Sequence, residues 1–204
     1  PDLRGRGHAS ELVERLLETQ PALQGHVRFI QVTVPTRDEI PAYVETKRRV
    51  DEIVGSINGR FGTAHWMPIH RIHGHLSAEQ LAGLYRAADV LLVTPLRDGM
   101  NLVAKEFVAT RTDGDGVLLL SEFAGAAKGL PGALLVNPFD VESVTSAISH
   151  ALSMPPSERQ QRVASMRRAL AQNDVRGWAN DFISALDGFE SVIADGVEWD
   201  EPVA

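Results

Sequence analysis

The pattern of apolar and polar positions switches repeatedly between two periods along the chain. Short runs rich in Val and Leu, such as DVLLVTP and GVLLLSE, indicate buried strands. Longer segments between such runs have apolar residues at helical spacing, as in ASELVERLLETQ and DVESVTSAISHALSM. Because strand and helix alternate through most of the 204 residues, the pattern predicts an α/β fold, a doubly wound parallel sheet with helices on both faces.

The remaining elements follow from the same periodicities and from capping signals. Strands are also predicted at HVRFIQVTV, MPIHRIHG and ALLVNP, and helices at EIPAYVETKRRVDEIVGSINGRFG, SAEQLAGLYRAA, NLVAKEFVATR and PSERQQRVASMRRALAQ. Ser77, with Glu79 and Gln80 in the turn behind it, is an expected N-cap, and Asp140 is another. The segment AGAAKGL predicts a short helix or a turn.

The two ends of the chain differ in character from its middle. Residues 1–9 are rich in Gly and Arg and are expected to form an irregular lead. Residues 10–188 are long enough to bury a core as one domain, and the last predicted helix, DVRGWANDFISALDGFESVI, begins within this range. Residues 189–204 form an acidic tail that we expect to be flexible.

Composition narrows the class of protein. The 20 basic and 27 acidic residues leave a net charge of −7, which argues against a nucleic-acid partner. The chain has no cysteine, which excludes disulfides, thiolate catalysis and cysteine-ligated metals. No apolar run approaches the roughly 20 residues that span a bilayer, and the first residues lack the apolar region of a signal peptide. We therefore expect a cytoplasmic protein with no membrane partner.

Three polar loops follow predicted strands: VPTRDE, IHGH and PLRDGMN. The carboxyl ends of parallel strands meet at one edge of a sheet, and ligands of open α/β sheets bind outside that edge, where the strand order reverses. The third loop has the largest number of groups that could bind a ligand. Asp98 can accept bonds from two sugar hydroxyls, and Gly99 permits either a close backbone approach or a positive φ.

The helix that follows this loop adds further ligand groups. Its first amides suit a phosphate or diphosphate, and they belong to Asn101, Leu102 and Val103. Glu106 lies one turn further on, within reach of a ribose diol. A purely structural interpretation stays open, in which Asp98 and Gly99 form a turn and Asn101 caps the helix.

The other two loops also permit more than one interpretation. Arg37 can hold a phosphate with two hydrogen bonds, or it can form an exposed ion pair with a neighbouring acid. The histidines in HRIHGH suggest zinc, but alternation along a strand places His73 and His75 on one face and His70 on the other. We favour a different use, in which the backbone near Gly74 reads the edge of a base. The tryptophans are candidate stacking platforms: Trp66, Trp178 and Trp199.

Four segments together resemble a known family, the UDP-forming trehalose-6-phosphate synthases of glycosyltransferase family 20. The segments are TPLRDGMNLVAKEF, LSEFAGAA, LLVNPFD and SINGRFG, and the resemblance runs over residues 27–186. It implies a Rossmann-like domain that forms the C-terminal, nucleotide-sugar-binding half of a GT-B glycosyltransferase. The implied activity is transfer of glucose from UDP-glucose to glucose 6-phosphate with retention, as part of trehalose biosynthesis.

The resemblance also implies roles at matching positions. Asp98 would bind hydroxyls of the transferred glucose, and Glu106 would bind the ribose. His75 and its neighbours would contact the uracil, and Arg37 would help to hold the acceptor phosphate. The main-chain groups that would line the sugar and the diphosphate belong to Gly99, Met100, Asn101, Leu102 and Val103. No metal or other cofactor is implied, because electrostatic stabilisation of the leaving diphosphate supplies most of the catalysis.

The chain departs from the family pattern in two respects. Members carry a whole N-terminal domain that this chain has no room for, and they hold the diphosphate with an Arg and a Lys. Here Arg4 and Arg6 are present at that place, but no lysine precedes Lys47. We therefore expect a fragment that is inactive alone and needs the missing domain or a synthase partner, and a homo-oligomer is a further expectation. The alternative is a non-catalytic UDP-sugar-binding or regulatory subunit that docks on an active synthase.

Overall fold

A computed structural model describes residues 5–34, 41–172, 177, 179–180 and 182–186. The strands are β1 (Phe29–Thr33), β2 (Ile69–His73), β3 (Val90–Val93), β4 (Val117–Ser121) and β5 (Leu134–Val136). The helices are α1 (Gly5–Thr19), α2 (Pro41–Phe61), α3 (Ala78–Ala87), α4 (Leu102–Thr110), α5 (Val141–Ser153) and α6 (Pro156–Gln172). Short 3₁₀ segments occupy Pro21–Leu23 and Gly125–Gly129. In the described part of the chain, no helix has the length and apolar content needed to cross a membrane.

The elements agree closely with the periodicity, and the predicted caps are present. The Ser77 hydroxyl accepts a bond from the amide of Gln80, and the Gln80 side chain accepts one from the amide of Ser77, a complete capping box. Asp140 caps α5 through the amide of Ser143. The expected irregular lead is wrong from Gly5 onward, because α1 begins there. The predicted tail lies outside the described residues.

All strand pairs are parallel, as predicted, but they form two ladders instead of one. β1 pairs with β2 in one ladder, and β3, β4 and β5 pair in that order in the other. Within the described ranges, no ladder joins β1 to β3. The expectation of one continuous sheet is therefore wrong in this respect. Periodicity identifies strands but carries no information about which strands are neighbours.

The three-stranded ladder is covered by helices on both faces, as a doubly wound sheet requires. Leu118 and Leu120 of β4 pack with α3, α4 and α6, while Val117 and Leu119 face α1 and α5. The alternation arises because successive side chains of a strand point to opposite faces. β4 is consequently buried along its whole length. The two-stranded ladder packs against α1 and α2 in a third core that contains Trp66.

A buried arginine ties three elements together at the amino ends of β3 and β4. Nη1 of Arg111 donates to the carbonyl oxygens of Tyr85 (2.8 Å), Arg86 (2.8 Å) and Ala88 (2.9 Å), at the end of α3. Its Nε pairs with Asp113 and also donates to the carbonyl of Asp115. The positive guanidinium thus lies at the negative end of the α3 dipole.

Candidate functional site

The loop between β3 and α4 is organised around Asp98. One carboxylate oxygen accepts a bond from the amide of Met100 (3.0 Å), and the other accepts one from the side-chain amide of Asn101 (2.9 Å). The side chain therefore builds the turn, as the structural interpretation predicted. Each carboxylate oxygen has two lone pairs, and Asp98 is only half-buried, so acceptor capacity remains for a ligand.

Asn101 has the left-handed backbone conformation that the sequence suggested for Gly99. Its φ is 71°, and among the described residues it is the one non-glycine with a positive φ. Gly99 has no such conformation, so that half of the expectation is wrong. Asparagine tolerates this region because its short side chain can bond locally. Here its side-chain oxygen caps α4 through the amide of Ala104 (2.9 Å).

The cap leaves two amides at the start of α4 available. No hydrogen bond within the described residues uses the amides of Leu102 and Val103. Both residues are exposed, at 58% and 42%. The first turn of a helix combines free N–H donors with the positive end of the dipole. Their anion-binding role stays a prediction, to which the geometry of the turn is no obstacle.

A second loop, which follows β4, clasps the first. The amide of Asp98 donates to the carbonyl of Phe123 (3.4 Å), and the amide of Gly125 donates to the carbonyl of Asp98 (2.9 Å). These bonds form a parallel bridge between Asp98 and Ala124. A Cβ at Gly125 would lie 2.1 Å from the carbonyl oxygen of Gly99. Sequence reasoning predicted only a short helix or a turn at AGAAKGL and missed the glycine that allows the loops to meet.

Replacing Gly125 by alanine should therefore push the two loops apart. Overpacking of this kind costs about 1–3 kcal/mol, because backbone must move to relieve the clash. Gly129→Ala is the matched control, since it lies in the same 3₁₀ segment and a Cβ there meets nothing within 4 Å. Urea unfolding of both variants measures the difference. Equal stability of the two variants would show that the clasp tolerates separation.

Glu106 is held by a tyrosine that the sequence analysis did not single out. The hydroxyl of Tyr85, on α3, donates to a carboxylate oxygen of exposed Glu106 (3.2 Å). The tyrosine ring is buried and packs edge-on against Phe107, with ring centroids 6.2 Å apart. Burial raises the pKa of Tyr85 to about 12, and the charge of Glu106 adds to the shift. The phenol is therefore a fixed hydrogen-bond donor at neutral pH.

Exposed apolar side chains also follow the strands of the three-stranded ladder. Met100 is 55% exposed, and Phe123 and Phe139 lie with ring centroids 5.9 Å apart, Phe139 being 65% exposed. These residues follow β3, β4 and β5, so they line one edge of the ladder. Contiguous exposed apolar side chains mark surfaces that contact a ligand or another domain.

The other residues singled out from the sequence belong to different segments of the chain. Exposed His75 follows β2 in the other ladder, and within the described residues no hydrogen bond links it to the Asp98 loop. Arg37, Trp178 and Trp199 lie outside the described residues. Trp66 is 9% exposed and its indole N–H donates to the carbonyl of Val27 (2.8 Å), so it is a core residue and the stacking expectation is wrong. No group of three or more acidic or histidine side chains in the described ranges is arranged to hold a metal.

Comparisons of the sequence and of the fold with known proteins all lead to the same family. The family model for glycosyltransferase family 20 matches residues 7–188. Trehalose-6-phosphate synthase from Sinorhizobium fredii is 46% identical over 184 residues, which cover 90% of this chain and 40% of the relative. An alpha,alpha-trehalose-phosphate synthase (UDP-forming) from Burkholderia xenovorans in complex with glucose-6-phosphate superimposes with a TM-score of 0.85 at 44% identity, covering 90% of this chain and 40% of that one.

An E. coli structure bound with UDP-2-fluoro glucose superimposes equally well, with a TM-score of 0.85 at 41% identity. The match covers 89% of this chain and 41% of that one. The fold is thus the Rossmann-like α/β domain of a GT-B glycosyltransferase, as predicted. The chain spans about two-fifths of the length of the S. fredii synthase and of these solved structures. Because the family model covers most of its length, the chain belongs to glycosyltransferase family 20.

Proposed function

We propose that this chain is the donor-binding part of a UDP-forming trehalose-6-phosphate synthase, which transfers glucose from UDP-glucose to glucose 6-phosphate. The clasped loop is the observation that carries the proposal. It brings the Asp98 carboxylate, the free amides of Leu102 and Val103, and Glu106 onto one loop and the first turns of one helix. These are the acceptors and donors that a hexose, a diphosphate and a ribose need.

Each part of the donor has a complementary group in this arrangement. Asp98 accepts bonds from glucose hydroxyls, and the main chain at Gly99 to Asn101 lies against the sugar and the diphosphate. The two amides and the helix dipole stabilise the negative charge that grows on the UDP oxygen as it leaves. Glu106 accepts bonds from the ribose hydroxyls. This chemistry uses no nucleophilic side chain and is compatible with transfer with retention.

The acceptor side of the reaction depends on groups beyond this arrangement. Arg37 is the proposed ligand of the acceptor phosphate, and His75 supplies main-chain contacts to the uracil. The exposed apolar edge at Phe123 and Phe139 fits a surface that a further domain covers. We therefore propose that the chain binds donor but does not transfer glucose by itself.

Calorimetry with UDP and then UDP-glucose tests donor binding, and a coupled assay for UDP release tests transfer. We expect binding of both ligands and no release when glucose 6-phosphate is added. Absence of UDP binding at high ligand concentration would overturn the proposed donor site. UDP release that falls in the Asp98→Ala variant would instead overturn the proposal that the chain is inactive alone.

Tyr85→Phe should weaken UDP binding by about tenfold, because a hydrogen bond to a charged group contributes roughly 1.5 kcal/mol. The loss acts through Glu106, which would no longer be held in one orientation. The effect should vanish with 2′,3′-dideoxy-UDP, which has no ribose hydroxyls for Glu106 to bind. An equal loss with both nucleotides would assign Tyr85 a structural role instead.

The tyrosine contact can also be observed without a ligand. In a Tyr43→Phe background, ultraviolet titration should show Tyr85 ionising near pH 12. The Glu106→Gln substitution should lower that pKa, since it removes a negative charge beside the phenol. A titration that Glu106→Gln leaves unchanged would contradict the contact.

A further inference from the structure

Tyr85, in the last turn of α3, is held at three points by one short stretch of chain. Its backbone carbonyl accepts a hydrogen bond from Nη1 of Arg111 (2.8 Å). Its ring packs edge-on against Phe107, with the ring planes at 89°, and its hydroxyl donates to Glu106 (3.2 Å). The three partners lie in α4 and at the residue that caps its C-terminus. Together these contacts fix the position of α3 against α4.

Arg111 makes the most bonds of the three partners. Nη1 also donates to the carbonyl oxygens of Arg86 and Ala88, and the guanidinium carbon lies 5.6 Å from the centre of the Phe107 ring. A hydrogen bond that involves a charged group is stronger than an edge-on contact between two rings. The arginine is therefore the principal connection between the end of α3 and α4.

The guanidinium is fixed on its far side by the turn before β4. Its Nε lies 3.2 Å from a carboxylate oxygen of Asp113. A Cβ at Gly116, whose φ is 96°, would lie 2.8 Å from the guanidinium carbon, so the turn closes tightly against it. The amide of Val117 then donates to the carbonyl of Asp89 (2.9 Å), where β4 begins beside β3. The end of α3, and Tyr85 with it, is thus tied to the three-stranded ladder.

The hydroxyl bond at the other end of Tyr85 tolerates little movement. Its length of 3.2 Å exceeds the roughly 2.5–3.0 Å that is usual for O–H···O bonds, so a small displacement would break it. Within the described residues, no other hydrogen bond holds either the phenol or the Glu106 carboxylate. A glutamate side chain that is released from its partner gains rotamer freedom, which a ligand must remove again on binding. A shift of α3 would therefore weaken a site that depends on Glu106.

We propose that Arg111 is a positioning residue for nucleotide binding: it fixes Tyr85 so that the tyrosine hydroxyl holds Glu106 in the orientation that binds the ribose hydroxyls. This role rests on the proposed function, in which Glu106 is the ribose ligand. It gives a buried arginine at the amino ends of β3 and β4 an effect on a ligand that it would not touch. Because the effect passes through one hydrogen bond, only ligands with ribose hydroxyls should be sensitive to it.

Arg111→Lys tests the role while it keeps a positive charge, because lysine lacks the planar set of donors of a guanidinium. UDP binding should weaken by about three- to tenfold, the upper bound being the roughly tenfold loss expected for Tyr85→Phe. Binding of 2′,3′-dideoxy-UDP should not change. In a Tyr85→Phe background, Arg111→Lys should cause no further loss, since residues that act through one contact are not additive. Calorimetry measures each affinity.

Val144→Ala is the matched control, because it removes buried apolar atoms from α5 on the opposite face of β4. It should lower stability without changing the affinity for UDP, and urea unfolding identifies a temperature at which the variants are folded. If Arg111→Lys does not fold, Asp113→Asn loosens the same guanidinium from an exposed turn and should give the same pattern at about twofold. Equal losses for UDP and 2′,3′-dideoxy-UDP, or a further loss in the Tyr85→Phe background, would overturn the proposal.

A measurement without ligand separates this role from donor binding. In protein labelled with carbon-13 at tyrosine Cζ, Tyr43→Phe assigns the signals of the two tyrosines. Glu106→Gln defines how the Tyr85 signal moves when the charged acceptor is lost, and Arg111→Lys should move it in the same direction whereas Val144→Ala should not. An unmoved signal in Arg111→Lys would overturn the proposal even where UDP binds. A moved signal in a chain that does not bind UDP would overturn the ribose role together with the proposed function.

Discussion

Replacement of Asp98 by asparagine is expected to weaken UDP-glucose binding by roughly 30-fold while leaving UDP binding nearly unchanged. A hydrogen bond to a charged acceptor contributes about 2 kcal/mol, and each 1.4 kcal/mol corresponds to a factor of about ten in affinity. UDP lacks the glucose whose hydroxyls Asp98 is proposed to bind. The ratio of the two affinities, measured by calorimetry, therefore reports the effect of the substitution on sugar binding.

The same substitution disturbs the loop, and a second variant separates the two effects. Asp98 accepts a bond from the side-chain amide of Asn101, so an amide at position 98 would place two donors face to face. Combining Asp98→Asn with Asn101→Asp restores that bond and keeps an oxygen to cap the amide of Ala104. If Asp98 binds glucose, the double variant should remain weak for UDP-glucose. Full recovery would show that the carboxylate only shapes the turn.

Replacement of Arg111 by methionine should destabilise the chain by about 3–5 kcal/mol, the typical result of removing one member of a buried ionic network. Arg111 is 3% exposed, and its guanidinium donates to three carbonyls at the end of α3, which methionine would leave without these donors. A domain is stable by only about 5–15 kcal/mol in total, so the loss is a large fraction. Urea unfolding measures it.

Two further variants define the origin of that loss. Arg168→Met, on the exposed face of α6, removes an arginine without emptying a buried site and should change stability by no more than about 0.5 kcal/mol. Arg111→Lys keeps the charge but lacks the planar set of donors, so its cost should fall between those of the other two variants. An Arg111→Met variant as stable as Arg168→Met would contradict the role of the network.

The local geometry of the Asp98 loop could be predicted because it depends on neighbours in sequence. Asp98, Asn101 and Glu106 lie within nine consecutive residues. The end of the strand, the turn and the start of the helix therefore place them close together, whatever the rest of the fold is. The cap of Asn101 and the free amides behind it follow from the same rules. The sequence could not show which residue has the positive φ, because both Gly99 and Asn101 tolerate that conformation.

Contacts between distant segments could not be predicted. Gly125 approaches Gly99, and Tyr85 holds Glu106, across separations that no local propensity encodes. Trp66 illustrates the same limit, since an indole that could stack on a ligand instead fills a core and bonds to Val27. In each case the deciding factor is which elements pack side by side.

The sequence by itself determined the alternation of strands and helices, their caps, the polar loop at Asp98 and the family to which these segments are similar. These features rest on periodicity and on short-range bonding, which a linear pattern contains. Only the tertiary structure decided that the parallel strands form two ladders that both pack against α1, that two loops clasp at Gly125, and that a buried arginine joins α3 to the turn before β4. Those features depend on packing between segments far apart in the chain, where burial and steric contact are settled by the whole fold.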